Sequence, residues 1–328
     1  MLDIDKSAIF EISSSAQFEQ LALQVFKKQA SENPVYKAYL QYLNCKPDSI
    51  THTEEIPFLP IEFFKTKEVI LEGRTSEVVF SSSGTTGMQQ SRHFVSDLSL
   101  YEESFRKAFK LFYGEIENTA LLALLPSYLE REGSSLIYMV DDLIKYANQE
   151  YSGYFLYDHE ALYERLHQLR QAGTPTILIG VTYALLDFIE TYPISFKNLI
   201  VMETGGMKGK RKEMIRNELH DLLCRGFGVD AIHSEYGMTE LLSQAYSYGN
   251  GLFACPPWMK IYIRDVNDPL SILPQGLTGG VNVIDLANLN SCSFIATQDL
   301  GKVLSDNQFE ILGRFDQSDI RGCNLLVQ

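Results

Sequence analysis

The chain has 328 residues, 45% hydrophobic and only 21% charged, so it can bury a sizeable core in one large domain or two intimate lobes, which excludes a disordered chain. Its 42 acidic and 28 basic side chains leave a formal charge of −14, which disfavours nucleic acid and anionic lipid as partners. Five scattered cysteines without a Cys-x-x-Cys pair read as reduced thiols rather than a zinc site, and the N-terminus has no signal-peptide pattern, so a cytoplasmic protein without membrane insertion is expected.

In chain order, Phe18, Leu21, Ala22, Val25 and Phe26 share one helical face over residues 14–32, introduced by serines and stopped before Pro34. Pro57 and Pro60 keep the segment from Ile56 to Ile61 extended. Val78-Val79-Phe80 predicts a short strand, followed at once by Ser81-Ser82-Ser83-Gly84-Thr85-Thr86-Gly87. Residues 97–113 return to helical spacing through Leu98, Tyr101, Phe105, Phe109 and Phe112. Strands and helices then alternate. Strands are expected at Ala120–Leu125 and Tyr154–Tyr157, then a helix carrying Leu162, Leu166 and Leu169. Strand Thr176–Gly180, helix Tyr183–Glu190, strand Leu199–Met202, a basic helix near 209–225 and strand Val229–His233 follow. This alternation predicts an α/β fold of layered sheets flanked by helices. Beyond residue 250 short strands and Gly/Pro turns predict a small β-rich subdomain. The expected organisation is a large domain over 1–313, with α/β lobes to 250 and a β-rich part over 251–313, and a hinge and tail over 314–328.

Two local clusters carry chemistry. In Ser81–Gly87, hydroxyls and glycine-exposed backbone N–H groups can wrap phosphate oxygens, although no Gly-Lys-Ser/Thr follows as in a Walker loop. Alone, this run fits a surface turn equally well. The second cluster, Ser234-Glu235-Tyr236-Gly237-Met238-Thr239-Glu240, offers an aromatic ring, a glycine, a hydroxyl and a carboxylate within a few residues. Tyr236 can stack on a purine, Thr239 can donate to a phosphate, and Glu240 can hold Mg²⁺. The plain alternative is a helix start with Glu240 in its first turn.

Together, in this order, the two clusters resemble the signature motifs of the adenylate-forming superfamily of acyl-CoA synthetases, peptide-synthetase adenylation domains and luciferases. Thr204-Gly205-Gly206 resembles the adenine-contacting turn of that family. Thr297-Gln298-Asp299-Leu300-Gly301 resembles its ribose-contacting element, and Gly313-Arg314-Phe315-Asp316 its element before the interdomain hinge. The segment from Ile56 to Lys65 and the tail Asp319-Ile320-Arg321-Gly322-Cys323 resemble, more narrowly, the LuxE-type acyl-protein synthetases. The resemblance implies the superfamily's large N-terminal fold and an ATP- and Mg²⁺-dependent ligase that activates a fatty or aryl acid as its adenylate. Acyl transfer would follow to Cys323, coenzyme A or an acyl carrier protein, with an acyl-reductase as a further partner. It implies Thr239, Glu240 and Cys323 as catalytic groups, with Glu240 also the metal ligand. Ser81, Ser82, Ser83, Gly84, Thr85, Thr86, Gly87, Thr204, Gly205, Gly206, Tyr236, Gly237, Asp299 and Arg314 become the nucleotide contacts, and Ser127-Tyr128-Leu129 borders the acyl pocket.

The pattern departs from the family in two places. Met88-Gln89-Gln90-Ser91-Arg92 stands where most members have Pro-Lys, and Arg92 is either a substitute charge or an ordinary solvated arginine. Only 12 residues follow Asp316 (328 − 316), so the lid domain that carries the family's charge-stabilising lysine is expected to be missing. Losing such a group removes ~3 kcal/mol of transition-state stabilisation. Cys323, beside Arg321, is an acyl acceptor by resemblance and otherwise a small residue packed with Leu325, Leu326 and Val327. The rival functions are a nucleotide-binding module without turnover and an acyltransferase dependent on a partner chain. His93, His220 and His233 form no recognisable triad, and His93 and His233 border the two clusters.

Overall fold

Ser14 opens helix α2 (Ser15–Glu32) by accepting from Gln17 N, while Gln17 Oε1 accepts from Ser13 N in return, a reciprocal cap. Asn33 ends that helix and starts α3 (Pro34–Tyr42), its Oδ1 accepting from Val35 and Tyr36 N with Pro34 in the first turn. The computed structural model describes residues 4–82, 89–126, 133–205, 214–305 and 308–315. Before α2 lies α1 (Lys6–Phe10); after α3 come β1 (Leu59–Pro60) and α4 (Phe63–Thr66). Next stand the antiparallel hairpin β2 (Val78–Ser81) and β3 (Arg92–Val95), and helix α5 (Leu98–Tyr113).

A parallel α/β layer follows. Strands β4 (Ala120–Leu124), β5 (Gly153–Tyr154), β6 (Thr176–Val181), β7 (Leu199–Thr204) and β8 (His233–Tyr236) alternate with helices α6 (Ser135–Tyr146), α7 (His159–Ala172), α8 (Thr182–Thr191) and α9 (Arg216–Phe227). Every residue of β4 and β6 is buried, as expected of parallel strands covered on both faces. The rest is antiparallel: β9 (Ala245–Ser247), β10 (Leu252–Ala254), β11 (Met259–Arg264), β12 (Thr278–Asp285), β13 (Phe294–Ser305) and β14 (Gln308–Arg314).

Among the described residues twelve strands join in one sheet, ordered β11-β12-β13-β14-β10-β9-β8-β7-β6-β4-β5, with β1 paired beside β13. The strands after residue 250 thus continue the parallel layer through β9 and β10. The α/β class expected from the sequence is the class observed. No helix among the described residues is long and apolar enough to cross a membrane.

Three local expectations change. The strand expected over Val229–His233 instead runs over His233–Tyr236, because pairing begins only there, with Met202 and Glu203 on one side and Ser247, Tyr246 and Ala245 on the other. Val229 and Ile232 are buried, but as packing residues of the connection; long-range pairing overrides the local apolar run. The strand at Tyr154 ends there, and Phe155 to Asp158 turn into α7. Of the basic helix expected near 209–225, α9 starts at Arg216 with Met214 and Ile215 outside it, and residues 209–213 lie outside the described residues.

Candidate active site

Parallel strands present their C-terminal ends to one side of the sheet, the usual location for ligands in such layers. Here Thr204 ends β7 and Tyr236 ends β8, and these two strands pair directly. Thr204 Oγ1 donates to Glu235 Oε2 at 2.6 Å. Burial pushes the Glu235 carboxyl up to about 7, with Thr204 opposing and Glu203 reinforcing the shift. Burial also raises Glu203, but His220, Ser234 and Arg216 outweigh it and hold that carboxyl below its ordinary range. His220 Nε2 stands 3.7 Å from Glu203 Oε1, within ion-pair range. Gly205 turns the chain at φ +74°, a left-handed conformation natural to glycine. A Cβ on Gly237 would lie 2.4 Å from Glu235 Oε1, so the carboxyl fills the space a side chain there would need.

Tyr236 reaches across to the antiparallel part: its hydroxyl donates to Asp299 Oδ2 at 2.8 Å. The ring is 9% exposed and packs edge-on against Phe253 and Phe309. Arg314 Nε donates to the other carboxylate oxygen, Asp299 Oδ1, at 3.1 Å. The Arg314 side chain stays 70% exposed and that of Asp299 9% exposed, so a buried anion is held by a cation at the surface. β13 and β14 set this pair in register, with Asp299 opposite Arg314.

The hairpin joins from a third direction. Ser82 N donates to Ser91 O at 3.1 Å and Ser91 N to Ser82 Oγ at 3.0 Å, closing the base of the serine/threonine/glycine run. Ser91, His93 and Val95 face inward while Arg92 is exposed, its guanidinium 5.3 Å over Phe94. His93 is fully buried, with Nδ1 2.9 Å from Thr239 O and Nε2 2.9 Å from Asn288 Oδ1. Asn288 Nδ2 in turn donates to Glu240 O at 2.7 Å. Burial pulls His93 down to about 4 against both contacts, so the ring is neutral at neutral pH. Both partners accept, because Asn288 Nδ2 is already given to Glu240 O, so the single N–H of the neutral ring serves one of them at a time.

Glu240 is 5% exposed. Burial raises its carboxyl above the ordinary range, opposed by Ser91, its own backbone, Arg314 and Lys65. The turn is pinned beyond it by Asp285, which accepts from Leu242 N at 2.7 Å, Ser243 N at 3.0 Å and Ser243 Oγ at 2.5 Å. Trp258 Nε1 closes this network on Ser104 and Ser243.

Thus Thr204, Gly205, Tyr236, Gly237, Thr239, Glu240, Asp299 and Arg314 fall in one region with the hairpin carrying Ser81 and Ser82. Ser83, Gly84, Thr85, Thr86, Gly87, Gly206, Ser127 to Leu129 and Cys323 lie outside the described residues. The sequence set His93 only at the border of the phosphate loop and pointed to neither Asn288 nor Asp285. The inward alternation of Ser91, His93 and Val95 was the one local signal for the first; the other two act only through contacts distant in sequence.

Residues 136–328 match the family model of the LuxE acyl-protein synthetases. No curated protein matches the chain by sequence. Among solved structures, an open conformation of 2-hydroxyisobutyryl-CoA ligase in complex with 2-HIB-AMP and CoA is similar, with a TM-score of 0.67 and 12% identity over 96% of this chain and 81% of that one. The same ligase in its thioesterification state gives a TM-score of 0.70 and 14% identity over 97% of this chain and 73% of that one. ATP-bound MatB from Rhodopseudomonas palustris gives 0.51 and 19% identity over 72% of this chain and 47% of that one. At these identities the likenesses concern the fold, which is the one the sequence motifs implied. The family match runs from α6 through β8 and β13–β14 to the end of the sequence, and the chain belongs to the LuxE acyl-protein synthetase family.

Proposed function

We propose that the chain activates a carboxylic acid with ATP and passes the acyl group to a thiol. In the first step a carboxylate oxygen bonds to the α-phosphorus, the bond to the β-phosphate oxygen breaks, and pyrophosphate leaves. In the second a thiolate attacks the acyl carbon and AMP leaves. The observation that carries this reading is the meeting of Tyr236 and Asp299, 63 residues apart, at 2.8 Å beside the Thr239–Glu240 turn. A buried carboxylate fixed by Tyr236 on one oxygen and by the exposed Arg314 on the other suits ribose hydroxyls once Arg314 yields, and the Thr204–Gly205 turn suits the edge of a purine. Ser81 and Ser82, with the run that follows them, would receive the departing phosphates, and Thr239 the α-phosphate. Arg314, whose side chain is exposed, would exchange Asp299 for a ligand oxygen.

Among the described residues no cluster of three or more acidic, histidine or cysteine side chains gathers to hold a metal. Mg²⁺ would therefore rest on Glu240 and phosphate oxygens, a common arrangement for this ion. When bound, it neutralises phosphate charge. Both states of 2-hydroxyisobutyryl-CoA ligase described above are complexes with an acyl-AMP and CoA, and MatB was captured with ATP, which supports nucleotide and thiol chemistry on this fold. We assign the acid to the fatty or aryl class, the acceptor to Cys323, coenzyme A or a carrier protein, with a reductase as downstream partner, and the setting to the cytoplasm.

Return of labelled pyrophosphate into ATP tests the reading. Exchange that appears only when a fatty or aryl acid is added is the expected result. ATP binding without exchange across a panel of such acids would contradict it and leave a nucleotide-binding module.

A further inference from the structure

We infer that His93 is a positioning residue, a two-armed brace that locks the Thr239–Glu240 turn to the strand leaving the phosphate-loop hairpin; the inference rests on the adenylation reading. Three observations carry it. The ring contacts Thr239 O from Nδ1 and Asn288 Oδ1 from Nε2, each at 2.9 Å, and Asn288 Nδ2 holds Glu240 O, so the ring packs against both ends of the turn. His93 stands on β3, whose partner strand β2 leads into the serine/threonine/glycine run, with Phe80 directly opposite it. The ring is buried edge-on against Phe64 at 5.7 Å, which fixes its plane. The groups that would touch opposite ends of the triphosphate are thereby mounted on one rigid unit, although their motifs are far apart in sequence.

The two arms are unequal. A neutral ring has one N–H for two acceptors, Thr239 O and Asn288 Oδ1, so one arm is a donor bond and the other a packing contact. With the N–H on Nδ1, the Thr239 arm carries most of the positioning, and the variants below test that placement.

Pyrophosphate exchange by wild type, His93→Ala, His93→Asn and His93→Gln, normalised to folded protein, separates the arms. Asparagine places an amide near the position of Nδ1 and keeps the donor to Thr239; glutamine places one near Nε2 and keeps only the Asn288 side. Displacing reacting groups by about 1 Å costs on the order of 100-fold, so His93→Ala should lower kcat by about 10- to 100-fold. KM for ATP should stay within about threefold, because ground-state contacts to the nucleotide remain. His93→Asn should recover most of the loss and His93→Gln little. A folded His93→Ala protein with kcat within about twofold of wild type would overturn the brace, as would equal losses in the Asn and Gln variants.

Amide hydrogen exchange supplies a readout independent of turnover. Leu241 N donates to Met238 O at 3.1 Å across the turn, and its exchange should quicken by about tenfold in His93→Ala while β6 amides keep wild-type rates. If wild type returns no label with any acid, the adenylation reading fails and this measurement alone decides the brace. Unchanged protection at Leu241 would then sink it.

Discussion

Glu235 shows how one residue is set by its surroundings. It sits on a short polar strand, accepts from Thr204, and lies where a Gly237 side chain would have to go. Its carboxyl holds a proton to about pH 7 in the folded chain but only to its ordinary 4.5 when unfolded. Between those values the folded state binds more protons, so this group's contribution to stability falls as pH rises through the window and is lost above it. Glu235→Gln keeps an acceptor for Thr204 and removes the charge. The variant should gain about 1–3 kcal/mol over wild type at pH 8 and almost nothing near pH 4.5. Urea midpoints across that range check this; a difference that does not change with pH would show that Glu235 is ionised throughout. The sequence placed Glu235 inside the motif without any sign of its partial burial, which comes from strands distant in sequence, with Tyr246 as its cross-strand partner.

At the scale of elements, helix α2 reaches the site without touching it. Gln29 is fully buried; its amide nitrogen donates to Asn288 O, Leu289 O and Ser293 Oγ, and its oxygen accepts from Ser293 N. The turn it grips carries Asn288, the residue between His93 and Glu240. Gln29→Ala strands several buried groups at once and should cost on the order of 3 kcal/mol. The urea midpoint should drop with the slope unchanged; a midpoint within error of wild type would mean that water replaces the side chain. The apolar face of α2 was legible because helical spacing is local, whereas the task of Gln29 was not, because its partners lie 259 to 264 residues away. The same reason explains β8. Val229–His233 reads as a strand, yet His233–Tyr236 forms the ladder because β7 and β9 are there to pair with it.

For the molecule as a whole, the order of the motifs carried the fold: alternating strands and helices up to β8, then antiparallel strands that continue the same sheet. Thr204, Tyr236 and Thr239 were legible because each ends or follows a strand with side chains suited to a nucleotide, and Asp299, inside β13, through the resemblance of its motif. What joins them was not, since His93, Asn288 and Asp285 belong to no motif and act through long-range contacts. The central claim is that these segments surround one nucleotide, and a crystal structure with a non-hydrolysable ATP analogue tests it most directly. The account predicts the purine against Thr204–Gly205, the ribose hydroxyls on Asp299, and the phosphates between Ser81–Ser82 and Thr239. An analogue that touches only one of these clusters, or that binds elsewhere on the surface, would contradict it.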